Sequence, residues 1–317
     1  MRVEVKNVDK HFRNLHAVND LSFTVEPGRV TGFLGPNGSG KSTTMRLMLG
    51  LDSGSGETLF DGLPLARHTS VTRVVGAHLD AKFFHPKRSA RGHLKMLGAE
   101  SNISKARIDE VIQLVGLSEV ARKRPGGFSL GMGQRLGLAG AILAQPKVLM
   151  LDEPANGLDP QSIHWLRDFL KHYASLGNTV LVSSHLLGEM QLLADDVVVI
   201  ARGTLVAAES MPEFLSRATN KSVRVRSNDV VRLASVLSSN GFRVEIEGEN
   251  AIRVMDATPE KVGEIAFQSG VQLSELVAEA ANLEKVFMEL TASGMDYEIG
   301  APVPTKESVA TELGASL

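Results

Sequence analysis

Two short stretches of this chain combine residue types that only make chemical sense together. The first is Gly35-Pro36-Asn37-Gly38-Ser39-Gly40-Lys41-Ser42-Thr43, which satisfies G-x-x-x-x-G-K-[ST] from Gly35 to Ser42. Glycines at this density let successive backbone N–H groups curl around an anion, and a helix N-terminus behind them adds its positive dipole end. Lys41 is then placed to reach β- and γ-phosphates and the Ser42 hydroxyl to ligate Mg²⁺. The second stretch is Asp152-Glu153, which closes the apolar run Val148-Leu149-Met150-Leu151 and precedes Pro154. Adjacent carboxylates at a strand end can be a solvated turn. Following a phosphate loop by about a hundred residues, they fit a division of labour instead. Asp152 holds Mg²⁺ through water, and Glu153 polarises a water against the γ-phosphate. The pattern implies a nucleoside triphosphate as ligand.

The elements around these stretches are the ones such chemistry needs. Val30 to Leu34 is an apolar strand candidate, and Thr44 to Leu49 reads as a helix stopped by Gly50, giving the order strand, glycine-rich turn, helix. Upstream, Val3–Val8 and Leu21–Val25 alternate as half-buried strands, and Glu57–Phe60 ending in Asp61-Gly62 predicts a hairpin. Val71–Ala77 is a further strand candidate. Ile108, Val111, Ile112 and Val115 fall at helical spacing before Gly116, and an apolar helix runs from the Ser129 region through Leu143. Asp159-Pro160 is a helix start, with aspartate as N-cap and proline in the first turn. Asn178–Ser183 and Asp196–Ile200 are strands. Strands alternating with helices predict an α/β fold with a largely parallel sheet.

Near Arg217–Ser222 the pattern changes. Residues 222–294 read as β-α-β-β-α-β with a trailing helix, a small α+β unit of ferredoxin-like order, separate from 1–217. Residues 295–317, with prolines, small residues and weak periodicity, read as a flexible tail.

Composition narrows the classes. The 317 residues carry a formal net charge of −2, which provides no global basic field for nucleic acid. Cys is absent, so disulfides, thiolate metal sites and thiol nucleophiles are excluded. The charged N-terminus Met1-Arg2-Val3-Glu4-Val5-Lys6 does not read as a signal peptide, and no apolar run reaches a membrane-spanning length. Membrane work would need another chain.

The phosphate loop, Ser129-Leu130-Gly131-Met132-Gly133-Gln134, Asp152-Glu153-Pro154, Asn156-Gly157-Leu158-Asp159 and Ser183-Ser184-His185, taken in that order, resemble the motif set of ABC transporter ATP-binding subunits. The resemblance covers residue 1 to about 217 and extends to the ATPase subunits of bacterial drug, antibiotic and lantibiotic exporters. It implies a P-loop fold with a mixed sheet core, an antiparallel β subdomain and a helical subdomain. It also implies ATP hydrolysis, a homodimer or another dimer of ATPase subunits, separate membrane permeases, and a position on the cytoplasmic face of the membrane. By the same resemblance Phe12 stacks on adenine, in competition with an ordinary core role. Ser129 and Gly131 stand at the serine and second glycine of the family's signature, where Leu130 and Met132 replace a glycine and a glutamine. His185 holds the γ-phosphate and attacking water, and Asp159 belongs to the loop that signals between subunits.

One position departs from the family. Asp80 stands where a glutamine is usual; as a carboxylate it can ligate Mg²⁺ but cannot donate a hydrogen bond, or it is a surface aspartate. The loop Phe83-Phe84-His85-Pro86 is expected in the groove that receives a permease helix. The remaining histidines, among them His11, His16, His78 and His93, show no paired ligand spacing and read as structural or surface. Competing readings are a soluble ABC-type switch uncoupled from transport and a nucleotide-binding regulator without hydrolysis.

Overall fold

Alternation of buried and exposed residues builds the first hairpin, β1 (Val3–Phe12) against β2 (Leu15–Val25). This computed structural model describes residues 1–13, 15–80, 84–85, 87–217, 222–248, 250–279 and 283–291. Strand β3 (Val30–Leu34) is buried at all five positions and feeds α1 (Lys41–Met48), whose Met45 and Met48 are core residues. Next, β4 (Ser55–Phe60) turns into β5 (Leu63–Pro64) through Asp61 and Gly62, with φ of 49° and 79°. Two positive φ values in a two-residue loop match the twist of a tight hairpin, as the sequence predicts. The four strands form one antiparallel sheet, β2-β1-β4-β5.

The expected strand over Val71–Ala77 resolves differently: one helical turn, α2 (Val71–Val74), precedes β6 (Val75–His78). The reason lies in the hydrogen bonds. β7 (Val148–Leu151) has four residues, paired in parallel with Val75 to His78. Ahead of them the Arg73 carbonyl still accepts the Lys147 N–H at 3.0 Å, but the N–H groups of Arg73 and Val74 turn back to the Ser70 carbonyl at 3.1 and 3.2 Å and close a helical turn. Between β6 and β7 lie α3 (Ala90–Leu97), α4 (Lys105–Leu114) and α5 (Leu130–Ile142). Then follow α6 (Pro160–Ser175), β8 (Thr179–Ser183), α7 (Leu187–Leu193), β9 (Asp196–Ala201), β10 (Thr204–Ser210) and α8 (Met211–Ser216). The central sheet runs β10-β9-β3-β8-β7-β6, parallel except for the edge strand β10. One core, including Phe33, Phe60 and Met150, fills the space between this sheet and the antiparallel one. A second joins its other face to α3, α4, α5 and α6.

The C-terminal segment comprises β11 (Ser222–Ser227), α9 (Val230–Ser239), β12 (Val244–Ile246), β13 (Ala251–Met255), α10 (Pro259–Gln268), β14 (Leu273–Glu279) and α11 (Leu283–Thr291). Its sheet, β12-β13-β11-β14, is antiparallel throughout and has its own apolar core, the order expected of a ferredoxin-like unit. The last helix, α11, lies elsewhere. Its Leu283, Val286 and Phe287 are buried in the core of the first unit, and the Leu283 N–H donates to Gln191 Oε1 at 3.0 Å. Residues 295–317 lie outside the described residues. No helix among the described residues is long and apolar enough to cross a membrane.

Candidate functional site

The ends of β3, β7 and β8 stand side by side in the parallel sheet, so their following loops meet at one edge. The loop after β3 is the glycine-rich stretch. Gly40, at φ 102°, caps α1; a Cβ there would meet the Ala17 carbonyl oxygen at 2.4 Å, so this position tolerates only glycine. Lys41 is buried and its Nζ donates to the Gly35 and Pro36 carbonyls at 2.7 and 3.2 Å, curling the loop around its own ammonium. Burial lowers the Lys41 pKa, opposed by the negative field of Glu153 and then Asp152.

The loop after β7 supplies the carboxylates. Ser42 Oγ donates to Asp152 Oδ2 at 2.5 Å, and Ser183 Oγ donates to Asp152 Oδ1. The same serine accepts the Glu153 N–H at 2.9 Å. Glu153 sits in the left-handed region at φ 49°, a conformation held by its surroundings. From the loop after β8, His185 Nδ1 meets Glu153 Oε2 at 2.7 Å.

Phe12, Asn37, Gly38, Ser39, Gly40, Lys41, Ser42, Thr43, Asp152 and Glu153 line a single open cleft of about 370 Å³, together with Leu15 and Ala17 of β2. Phe12 is not a core phenylalanine. It is 46 % exposed at the cleft rim, with Lys10 Nζ 4.7 Å from its ring centroid.

Seven residues singled out in the sequence are absent from the lining of this cleft: Gly35 and Pro36, whose carbonyls hold Lys41, His185, which bonds Glu153, and Ser129, Gly131, Asp159 and Asp80. Ser129 is exposed and caps α5, its Oγ accepting the Met132 N–H at 3.2 Å. Gly131 abuts the following loop of the same chain: a Cβ there would touch the Gly157 carbonyl oxygen at 2.8 Å. Asp159 caps α6. Its carboxylate accepts the Ser162 N–H at 2.8 Å and the Ser162 hydroxyl at 2.9 Å, which lowers its pKa in that order, with Arg135 adding a smaller pull. Asp80 lines a different cavity of about 370 Å³, between β6, α3 and α5, which shares Ser42 with the cleft. Of the aromatic loop expected at a permease groove, two residues are described. Phe84 is half-buried and packs on the main core, His85 is exposed, and Phe83 and Pro86 lie outside the described residues.

Sequence reasoning missed one supporting network. The His78 ring, buried at the end of β6, hydrogen-bonds Gln134 Oε1 through Nε2 at 2.5 Å. The Gln134 amide donates to the Glu153 carbonyl at 3.2 Å, and the His78 carbonyl accepts the Asp152 N–H at 2.8 Å. The acid pair is thereby tied to both β6 and α5. Nothing local in the sequence signals this, since His78 and Gln134 are 56 residues apart.

A glycine-rich loop joining a buried parallel strand to a helix, with a lysine inside the loop and a carboxylate pair on an adjacent strand, defines a P-loop nucleotide-binding ATPase. The chain belongs to the ABC transporter ATP-binding proteins. The ABC transporter family model matches residues 18–156, and a model of a domain of unknown function (DUF8746) matches residues 221–284. The chain is 34% identical over 296 residues to the uncharacterized ABC transporter ATP-binding protein YhcH of Bacillus subtilis, covering 91% of this chain and 95% of that one. It is 32% identical over 306 residues to the bacitracin transport ATP-binding protein BcrA of Bacillus licheniformis, covering 92% and 98%. Among solved structures, the dimeric post-hydrolysis MJ0796 cassette bound to ADP and Pi superposes with a TM-score of 0.60 at 21% identity, over 66% of this chain and 98% of that one.

Proposed function

We propose that this chain is the ATP-hydrolysing subunit of an exporter, working as a homodimer on the cytoplasmic face of a membrane through separate permease subunits. The observation that carries the reading is the division of the motifs. Lys41, Ser42, Asp152, Glu153 and, through Glu153, His185 converge on one cleft, while Ser129 stands exposed outside it. A second copy presenting its Ser129 and Gly131 would complete the cleft, the capping hydroxyl and helix N-terminus facing a γ-phosphate. The curated relative named for bacitracin transport favours an antibiotic-like cargo and outward movement.

In this mechanism the Phe12 ring offers an exposed face to adenine, and the amides of Asn37 to Thr43 surround the phosphates. Lys41 leaves the Gly35 and Pro36 carbonyls for the phosphate oxygens. The donors Ser42 Oγ and Asp152 Oδ2, 2.5 Å apart and both hard oxygens, fit Mg²⁺, which when bound neutralises phosphate charge. Glu153 accepts a proton from the attacking water. His185, held at 2.7 Å by that carboxylate, orients the water and the γ-phosphate. Asp159 reports closure between subunits through the α6 N-terminus that it caps.

Glu153→Gln tests the assignment. Loss of the carboxylate with the loop intact should slow hydrolysis at least about a hundredfold, roughly 2.7 kcal/mol of barrier, while ATP still binds and gathers the protein as a dimer on gel filtration. Near-normal turnover would remove Glu153 from its role, and a monomer in ATP would remove the shared cleft.

A further inference from the structure

Asp9 and His11 on β1 and His16 on β2 come together at the far end of the first hairpin. Each offers a ligand atom, and all of these atoms lie within 4.8 Å of one another. His11 and His16 are direct cross-strand partners, and their rings stack with centroids 3.7 Å apart and planes inclined by 19°. Both present Nε2 to one carboxylate: His16 Nε2 is 2.6 Å from Asp9 Oδ2, and His11 Nε2 is 3.6 Å from Asp9 Oδ1. An ordinary ion pair accounts for Asp9 with His16 alone. It does not account for a second imidazole turning the same nitrogen to the same carboxylate.

We propose that Asp9, His11 and His16 form a binding site for a divalent transition-metal ion, of the Zn²⁺, Cu²⁺ or Ni²⁺ class. One cation takes the place of the hydrogen bond between His16 Nε2 and Asp9 Oδ2 and draws in His11 Nε2. Two imidazoles and one carboxylate suit these borderline ions, whereas Mg²⁺ and Ca²⁺ prefer all-oxygen sets such as Ser42 with Asp152. Ligand bonds of about 2.0–2.2 Å put neighbouring ligand atoms of a tetrahedral site about 3.4 Å apart. The Asp9–His11 separation is already close to that. His11, with a side chain 59 % exposed, is free to swing the remaining distance, and the open side leaves the fourth position to water.

The location gives the site a consequence. His11 precedes Phe12, and His16 follows Leu15; Phe12 and Leu15 are themselves paired and line the nucleotide cleft. A metal bridging His11 to His16 clamps the rung next to the Phe12–Leu15 pair at the hairpin tip and restrains the Phe12 ring. Metal and nucleotide affinity are then linked in both directions. This linkage rests on the ATP-binding reading; the metal site itself does not.

The experiment uses the full chain without a histidine tag, freed of metal by EDTA and dialysed. With Cu²⁺, pulsed electron paramagnetic resonance should show two coordinated imidazoles in the wild type, and one in His11→Gln or His16→Gln. Calorimetric titration with Zn²⁺ should show about one equivalent, lost in both variants and kept in Glu153→Gln. Circular dichroism and binding of a fluorescent ADP establish that the variants are folded. If either variant unfolds, the imidazole count in the wild type decides alone, because two imidazoles on one ion require a histidine pair that His185 with Glu153 cannot supply. Zero or one imidazole, or an equivalent of Zn²⁺ retained in both variants, overturns the site. Fluorescent ADP should then bind with several-fold different affinity in Zn²⁺ and in EDTA for the wild type, and equally for His16→Gln. The same shift in both proteins overturns the linkage. Failure of every protein to bind ADP defeats the nucleotide reading and leaves the metal count standing.

Discussion

Gly137→Ala should damage this protein although it lies mid-helix in α5, where alanine ordinarily stabilises by roughly 0.5–1 kcal/mol. A Cβ at Gly137 would stand 2.0 Å from His78 Cε1 and 2.2 Å from its Nδ1. The ring cannot yield freely, because its Nε2 is bonded to the buried Gln134 amide at 2.5 Å. Overpacking of this kind costs about 1–3 kcal/mol, and stranding the Gln134 oxygen costs about 1–3 kcal/mol more. Less the helix-propensity gain, the net loss is roughly 1–5 kcal/mol. In a His78→Ala background the obstacle is gone, so the same substitution should stabilise by roughly 0.5–1 kcal/mol. The sign therefore reverses; the helix-propensity gain cancels between backgrounds, leaving a coupling of about 2–6 kcal/mol. Urea unfolding followed by the fluorescence of Trp165, the only tryptophan and half-buried in the first unit, reads all four proteins of the cycle. Because Gln134 also holds the Glu153 carbonyl, Gly137→Ala should lower hydrolysis more than ATP binding. A Gly137→Ala effect of the same sign in both backgrounds would refute the steric argument.

Mixing Lys41→Ala with Ser129→Arg protein should restore about a quarter of wild-type hydrolysis, since random pairing makes half the dimers mixed, each with one site free of lesions. No recovery, with no nucleotide trapped in a tethered mixed dimer, would argue for a site built within one chain. Phe12→Ala should weaken ATP binding by roughly 1–3 kcal/mol while leaving inorganic tripolyphosphate binding unchanged; parallel losses on both ligands would remove the stacking role. His93, buried in α3, has its pKa lowered by burial first and by Arg88 second. Below about pH 6.5 the unfolded chain takes up this proton and the folded one does not, so stability should fall as pH drops from there toward the folded pKa. His93→Leu should flatten that slope in urea melts at pH 7, 6 and 5; an unchanged slope would place the titrating group elsewhere.

Much of this protein is written in contiguous stretches. The glycine loop between an apolar strand and a helix, the carboxylates at the end of β7 and the Asp159 cap each carry their geometry within a few residues, where backbone dihedrals and neighbouring N–H groups decide the outcome. The same locality made the β-α-β-β-α-β order of residues 222–294 readable, as β11 to β14 with α9 and α10 show. Tertiary structure decided what depends on pairing between distant segments. Pairing with β7 set where β6 begins, and ahead of it Val71–Val74 closes a helical turn on the Ser70 carbonyl. Irregular register in the first hairpin brought His11, His16 and Asp9 together, though their spacing in sequence shows no ligand pattern. Packing of α5 against β6 joined His78 to Gln134, directed Asp80 toward a second cavity, and left Ser129 outside the cleft that its own chain builds. A periodic pattern states that a face is buried but not what it is buried against, and only the assembled sheet and helices supply the partner.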